Sequence, residues 1–184
     1  MRIGLVGEAP NDTQSVKNLL KKKYDFDFFF MLDQINGSKL DSQKTKRFLR
    51  IEYETKKPNI VIFIRDLDSL LSDKDQLIKR KLYFTNSNKV VDKKGLFLLH
   101  IYEIEALILC DIDTFNTIYD CELDVVEDPM LIEEPKEYLK AKSKSYNESH
   151  NADIFEKLSF DKAKNCDYFL KFIDSFDKVV NPEV

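Results

Sequence analysis

The chain has 184 residues, of which 43% are hydrophobic and 34% are charged. This composition predicts one globular domain with a substantial core and excludes a disordered or fibrous chain. No apolar run reaches the ~18 residues that a membrane helix needs, and the N-terminus lacks a signal-like region, so we expect a cytoplasmic protein without membrane association. The three cysteines, Cys110, Cys121 and Cys166, are odd in number and lack CxxC spacing, which favours reduced thiols over disulfides.

The net charge of −4 conceals two oppositely charged regions. Residues 1–100 contain 20 Lys or Arg and 13 Asp or Glu, whereas residues 101–184 contain 9 and 20. Between Glu103 and Glu134 there are eleven acidic residues and no Lys or Arg, a segment that would repel phosphate. Three basic clusters fit contacts with a nucleic-acid backbone, although each alone is also typical of a solvated helix face: Lys21–Lys23, Lys44–Arg50 and Lys79–Lys81.

Strand and helix signals alternate along residues 1–111. Apolar runs predict four strands, at 2–6, at 26–32, from Asn59 up to the acidic loop that begins at Asp66, and at 95–101. Amphipathic spacing predicts helices at 13–23 and 41–57. A helix at 77–84 ends at an expected turn at 86–88, and residues 102–111 have the composition of one buried helix. The alternation predicts an α/β fold, Rossmann-like, with a largely parallel sheet of about four strands flanked by helices.

Beyond residue 120 the strand signals end and helices predominate. Segments 135–144, 154–158 and 166–179 are predicted helices, and 143–151 a polar loop. In the last helix the apolar residues Phe169, Phe172, Ile173 and Phe176 indicate a core-facing side. We therefore expect an α/β domain at 1–128 and a helical C-terminal extension at 129–184 packed on it.

Carboxylates follow three of the predicted strands. Glu8 follows the first, Asp66 and Asp68 follow the third, and Glu103 and Glu105 follow the fourth. Parallel strands present such residues at the carboxyl edge of the sheet, where ligands bind in open α/β folds. Carboxylates held together raise each other's pKa, and a hard divalent cation such as Mg²⁺ or Mn²⁺ relieves this repulsion, so the pattern predicts a metal site for phosphodiester chemistry.

The roles of two acidic positions stay open at this level. On a regular helix Glu103 and Glu105 point about 200° apart, so only one would face the metals, and Glu103, at the junction of strand and helix, is the favoured one. Asp12 is as well explained as an N-cap of the first helix as a metal ligand, and Thr13 is the other candidate cap.

Three motifs resemble the Toprim-like family of small prokaryotic proteins that are often paired with ATPases. They are G-E-x-x-x-D at Gly7–Asp12, D-L-D at Asp66–Asp68 and E-I-E-A-L-I-L-C-D at Glu103–Asp111. The family's helix typically reads E-I-E-A-W-L-L-A-D, so Leu107 and Cys110 depart from it in packing rather than in chemistry. The resemblance extends over nearly the whole chain, through Asp128-Pro129, Glu134-Pro135-Lys136, Tyr146, Ser149–Ala152, Cys166–Phe169 and Phe172-Ile173.

The resemblance implies a Toprim fold with a Mg²⁺-dependent nuclease site. Glu8 would be a metal ligand or general base, Asp66 and Asp68 metal ligands, and Glu103, with Glu105 less firmly, would complete the site. Lys136 would contact phosphate. His150 corresponds to a family histidine and is a candidate substrate contact, while a satisfied surface or core histidine is the plain alternative.

The family also suggests partners. Its relatives are nuclease effectors that accompany ATPase sensors in anti-phage defence, so we expect a nucleic-acid substrate (DNA or RNA), a neighbouring ATPase and possible homo-oligomers. The competing interpretation is a non-catalytic Toprim-like subunit that binds an ATPase. A haloacid-dehalogenase-type phosphotransferase is disfavoured because that class carries its D-x-D on the first strand.

Overall fold

A computed structural model describes residues 1–33, 35 and 37–181, apart from the side chain of Ser38. Its centre is a four-stranded, all-parallel sheet in the order β2-β1-β3-β4, which confirms the predicted α/β class. The strands are β1 (Arg2–Val6), β2 (Asp27–Phe30), β3 (Ile60–Asp66) and β4 (Gly95–His100). The predicted domain boundary at residue 128 stays a prediction.

Helices lie on both faces of this sheet. None of those in the described part of the chain is long and apolar enough to cross a membrane. The helices are α1 (Pro10–Lys21), α2 (Gln43–Lys56), α3 (Lys74–Val90), α4 (Ala106–Leu109), α5 (Ile112–Tyr119), α6 (Pro135–Lys142), α7 (Asn151–Lys157), α8 (Phe160–Ala163) and α9 (Asp167–Val180), with 3₁₀ turns at Gly37–Lys39, Pro129–Leu131 and Glu148–His150.

Strand β3 is buried on both faces because apolar side chains occupy its alternating positions. Ile62 and Ile64 belong to the core on the side of α1, α7 and α9, while Val61 and Phe63 belong to the core on the side of α2 and α3. Each side chain that leaves water here contributes roughly 1.5–3 kcal/mol to folding. The uninterrupted apolar run therefore fixes β3 as an inner strand.

The C-terminal helices pack on the first of these cores. Helix α9 lies against β4, and α7 lies against α1. The α9 side chains predicted to face the core are buried there, which confirms that prediction. The buried set is Phe169, Phe172, Ile173 and Phe176.

Three local predictions are wrong. The chain does not turn at 86–88, because α3 continues to Val90 and the Oδ1 atom of Asn88 accepts a hydrogen bond from the Gly95 N–H at 2.7 Å. Residues 102–111 do not form one helix: the chain turns at 102–105 before the short α4. Cys110 and Cys166 are not free thiols, since a disulfide joins their Sγ atoms, and Cys121 is the free cysteine.

Candidate active site at the carboxyl edge of the sheet

The loops after β1, β3 and β4 surround one cleft. These strands are neighbours in the sheet and run parallel, so their carboxyl ends open at the same edge. The cleft has a volume of about 380 Å³. Its charged lining is acidic apart from Lys136, and comprises Asp12, Asp66, Glu103, Glu105 and Glu148.

Backbone hydrogen bonds tie two of these loops together beyond the ends of their strands. The Leu67 N–H donates to the His100 carbonyl at 2.9 Å, and the Asp68 N–H donates to the Tyr102 carbonyl at 3.0 Å. The Tyr102 N–H donates a hydrogen bond to the Ser69 carbonyl at 3.2 Å. Asp68 and Tyr102 both have left-handed backbone, with φ of 59° and 54°, a conformation that is unfavourable for a tyrosine and is here held by this ladder.

Glu8 is held firmly at the end of β1. Its Oε1 atom accepts hydrogen bonds from the Arg65 Nε–H and from the Asp66 backbone N–H, the latter at 3.2 Å, and Arg80 Nη2 lies 4.0 Å away. Gly37 approaches the same carboxylate so closely that a Cβ atom there would lie 2.6 Å from Glu8 Oε2. Hydrogen bonds to Oε1 and the close approach of Gly37 to Oε2 therefore fix the orientation of the Glu8 carboxylate.

Two buried arginines neutralise part of the predicted site. Arg65 pairs with Glu8, and its Nη1 atom lies 3.9 Å from Asp41 Oδ2. Arg80 pairs with Asp68, whose side chain is 58% exposed. Arg65 Nη1 and Arg80 Nε have no hydrogen-bond partner among the described residues.

Asp66 and Asp12 form no ion pair with an arginine or lysine among the described residues. Burial raises the pKa of Asp66 well above its usual range, and the charges of Asp12, Glu105 and Glu8 raise it further. Burial, followed by the charges of Glu105 and Glu8, raises the pKa of Asp12 to about 7. The structure thus brings Asp12 into the acidic cluster.

Glu105 is buried, with 4% of its surface exposed, and its Oε1 atom accepts a hydrogen bond from Asn151 Nδ2 at 2.9 Å. Asn151 in turn accepts from the Tyr146 hydroxyl at 2.9 Å. Burial raises the pKa of Glu105, and the Asn151 bond opposes this shift only in part. Glu105 is consequently a supported carboxylate that faces the cleft.

Glu103 lines the same cleft and is paired with Lys136. Its Oε1 atom lies 3.0 Å from Lys136 Nζ, and its Oε2 atom accepts from the Lys136 backbone N–H at 3.2 Å. Both glutamates therefore line the cleft, and the expectation that only one of them would face the metals stays a prediction. It assumed a regular helix, whereas the left-handed Tyr102 and the turn at 102–105 present both.

Of the two predicted substrate contacts, Lys136 lines the cleft and His150 does not. Lys136 lies in the cleft, where Nζ also approaches Glu148 Oε2 at 3.4 Å. His150 is exposed, and its Nδ1 atom contacts the Tyr119 hydroxyl at 2.9 Å, on the 3₁₀ turn whose Glu148 and Ser149 line the cleft.

The sequence alone allows Asp12 to be either the N-cap of α1 or a metal ligand, and the structure excludes the N-cap role. Ala9 is the N-cap of α1, no side chain caps this helix, and the Thr13 hydroxyl instead donates to the Ala9 carbonyl at 2.9 Å. The sequence signal for a site role is that Asp12 lies in the first turn of the helix that follows β1, close to the carboxyl end of that strand.

Sequence reasoning missed a histidine and a tyrosine beneath the site. His100 pairs with Asp66 in the β3–β4 register, is fully buried, and packs its ring edge against Tyr168 at 5.4 Å between centroids. Burial lowers the pKa of His100 to about 3. Burial, with the charges of Asp66 and Glu105, raises the pKa of Tyr168. A lone histidine in an apolar strand carries no sequence signal of such burial.

Within the described residues, no three His, Cys, Asp or Glu side chains stand close enough together to hold a metal ion as they are placed. Comparisons of this chain with protein families, with curated proteins and with solved structures gave no match.

Proposed function

We propose that this chain is a Toprim-type nuclease that hydrolyses phosphodiester bonds of DNA or RNA with Mg²⁺ or Mn²⁺, as the effector partner of an ATPase. The observation that carries the proposal is the cluster of carboxylates that three adjacent parallel strands deliver to one cleft. Clefts at this edge are the usual ligand sites of open α/β folds.

The chemistry of the donor set suits a hard divalent cation. Among the described residues, however, no three of these groups stand close enough to hold one as placed, so binding would draw the carboxylates together. All of its acidic members offer carboxylate oxygen, the ligand that Mg²⁺ and Mn²⁺ prefer. Burial raises the pKa of Asp12, Asp66 and Glu105, and neighbouring carboxylates raise each pKa further, so their negative charge is only partly balanced within the protein. These three would hold the ion, and Asp68 would join them by exchanging its arginine partner for the ion.

A bound ion would supply Lewis acidity and a water of lowered pKa. The chain's own residues would do the rest. Glu8, oriented by Arg65 and the Asp66 N–H, would accept a proton from water as the water oxygen forms a bond to phosphorus. The bond from phosphorus to the leaving oxygen would break, and that oxygen would take a proton from solvent water. Lys136 would contact a phosphate oxygen in place of Glu148.

One observation favours a second candidate, a non-catalytic subunit that binds an ATPase. Arg65 and Arg80 already satisfy Glu8 and Asp68, two of the three carboxylates expected to be catalytic. The two arginines are buried, and buried charges with structural roles are usually paired in this way. Metal binding and cleavage therefore decide between the two functions.

The test compares the wild type with Asp66→Asn and Glu8→Gln on supercoiled DNA and bulk transfer RNA, with Mg²⁺ or Mn²⁺, with and without any ATPase encoded beside the gene. The matched control is Asp161→Asn, which removes an exposed carboxylate on α8 that pairs with Lys164. We expect metal-dependent cleavage by the wild type and the control, and none by the two site variants.

Stability measurements guard against misfolding of the variants. In EDTA at pH 8, Asp66→Asn is expected to melt at a higher temperature than the wild type, because it removes a charge that the folded state disfavours. Added Mg²⁺ should raise the melting temperature of the wild type but not of Asp66→Asn. If nothing is cleaved even with the partner present, and calorimetry detects no ion binding, the nuclease is rejected in favour of the binding subunit.

A further inference from the structure

Positive charge is concentrated on two adjacent helices that cover one face of the sheet. Helix α2 carries five Lys or Arg and two Glu, and α3 carries five Lys or Arg and one Asp, so the pair has a formal charge of +7. The helices lie side by side, and Arg50 on α2 donates to the Val90 carbonyl at the end of α3 at 3.0 Å. Two of the three basic clusters seen in the sequence therefore form one surface.

Most of these cations are not neutralised within the protein. Arg50 and Lys56 pair with carboxylates at or next to these helices, and Arg80 turns inward to Asp68. The others are exposed or partly exposed and form no ion pair with a described residue. This set, called here the α2–α3 surface, consists of Lys44, Lys46, Arg47, Lys74, Lys79, Lys81 and Lys89.

The third basic cluster, Lys21–Lys23, lies elsewhere and is partly used by the fold. Lys22 Nζ donates to the Glu156 carbonyl, and Lys23 Nζ pairs with Asp177 at 2.7 Å. Its surroundings on α7 and α9 belong to the acidic region of the chain. The sequence alone ranked the three clusters equally, and the structure separates them.

Helix α3 reaches two of the carboxylates at the carboxyl edge of the sheet through one buried arginine. Arg80, between Lys79 and Lys81 on α3, reaches Asp68 and lies 4.0 Å from Glu8. Residues 103–105 line the cleft and begin the segment 103–134, which has eleven acidic residues and no Lys or Arg. A polyanion would therefore be attracted by the α2–α3 surface and repelled by the acidic segment that begins at the cleft.

We propose that the α2–α3 surface binds the phosphodiester backbone of the nucleic acid and leads it to the carboxylate cleft. This inference rests on the proposed function. Lys and Arg on one face neutralise phosphates without reading base sequence. Helix α3, with 17 residues, is about 25 Å long, which matches roughly seven nucleotides of one strand at 3.4 Å each.

The test measures nucleic-acid binding without cleavage. Fluorescence anisotropy in EDTA would follow labelled duplex DNA, single-stranded DNA and an RNA hairpin at several salt concentrations. One variant reverses four charges of the surface, and a control reverses four exposed lysines on α1, α7 and α9, so that net charge changes equally. The variant is Lys44→Glu, Arg47→Glu, Lys79→Glu and Lys81→Glu, and the control is Lys21→Glu, Lys157→Glu, Lys171→Glu and Lys178→Glu.

We expect the surface variant to bind at least about 100-fold more weakly than the wild type at low salt. For duplex DNA, the magnitude of the slope of log affinity against log salt should decrease by about 3.6, because each of the four lost phosphate contacts contributes about 0.9. The control should stay within about threefold of the wild type. Equal loss in both variants, or no binding by the wild type, overturns the proposal; in the latter case the exposed Ile51 and Ile78 leave a protein partner as the remaining occupant of this face.

Failure of this inference is distinguishable from failure of the nuclease. Binding that depends on the α2–α3 surface, together with no cleavage under any condition, rejects the nuclease and supports the surface. Full cleavage activity in the surface variant supports the nuclease and overturns the surface.

Discussion

Replacement of His100 by phenylalanine should change how the free energy of unfolding depends on pH. His100 is fully buried, and neither ring nitrogen has a hydrogen-bond partner among the described residues. Burial lowers its pKa to about 3 from 6.5. The unfolded chain therefore binds a proton below pH 6.5 that the folded protein cannot take up, so stability is lost as pH falls from 6.5 towards 3.

The size of the effect follows from these two pKa values. Between pH 8 and pH 5, proton binding by the unfolded state should cost the wild type about 2 kcal/mol of stability. His100→Phe keeps an aromatic ring against Tyr168 and lacks the titrating group. The carboxyl groups with raised pKa, such as Asp12, are present in both proteins, so their contribution cancels in the comparison.

The assay is urea unfolding followed by far-ultraviolet circular dichroism at pH 8, 7, 6 and 5, because the chain contains no tryptophan. His150→Gln, which removes the other and exposed histidine, is the control. If the wild type and His100→Phe lose or gain stability in parallel from pH 8 to pH 5, the buried neutral histidine is refuted.

Two further predictions concern the support of the cleft and the cysteines. Asn151→Leu removes the donor to the buried Glu105, so urea unfolding should show a loss of roughly 1–3 kcal/mol, and a loss below about 0.5 kcal/mol would argue against this hydrogen bond. In protein purified without reductant and then unfolded, an alkylating reagent should modify Cys121 alone, and after reduction it should also modify Cys110 and Cys166; three modified thiols before reduction would contradict the disulfide.

The strands and the cleft's position follow from local sequence, because each depends on a pattern that is complete within a few residues. The apolar run of β3 specifies burial on both faces, and βαβ alternation makes parallel neighbours the expected arrangement. Glu8, Asp66 and Glu103 each follow one of these strands, so their convergence at one edge could be predicted from the order of the elements alone.

The finer arrangement of the site depends on backbone conformations and contacts distant in sequence. Tyr102 adopts a left-handed conformation that no local pattern favours for tyrosine, and it presents Glu103 and Glu105 to the same cleft. Cys110 and Cys166 are 56 residues apart, and only the docking of α9 brings them together. The arginine pairs of Glu8 and Asp68 likewise form only after folding.

The hydrogen bonds that join the loops after β3 and β4 make the site observable without a substrate. Three amide protons, those of Leu67, Asp68 and Tyr102, sit in this ladder beside the carboxylates. Their hydrogen-exchange rates and chemical shifts therefore report directly on whether the two loops move together or separately when an ion or a phosphate is added. A titration followed at these three amides would reveal ligand occupancy even in a protein that shows no turnover.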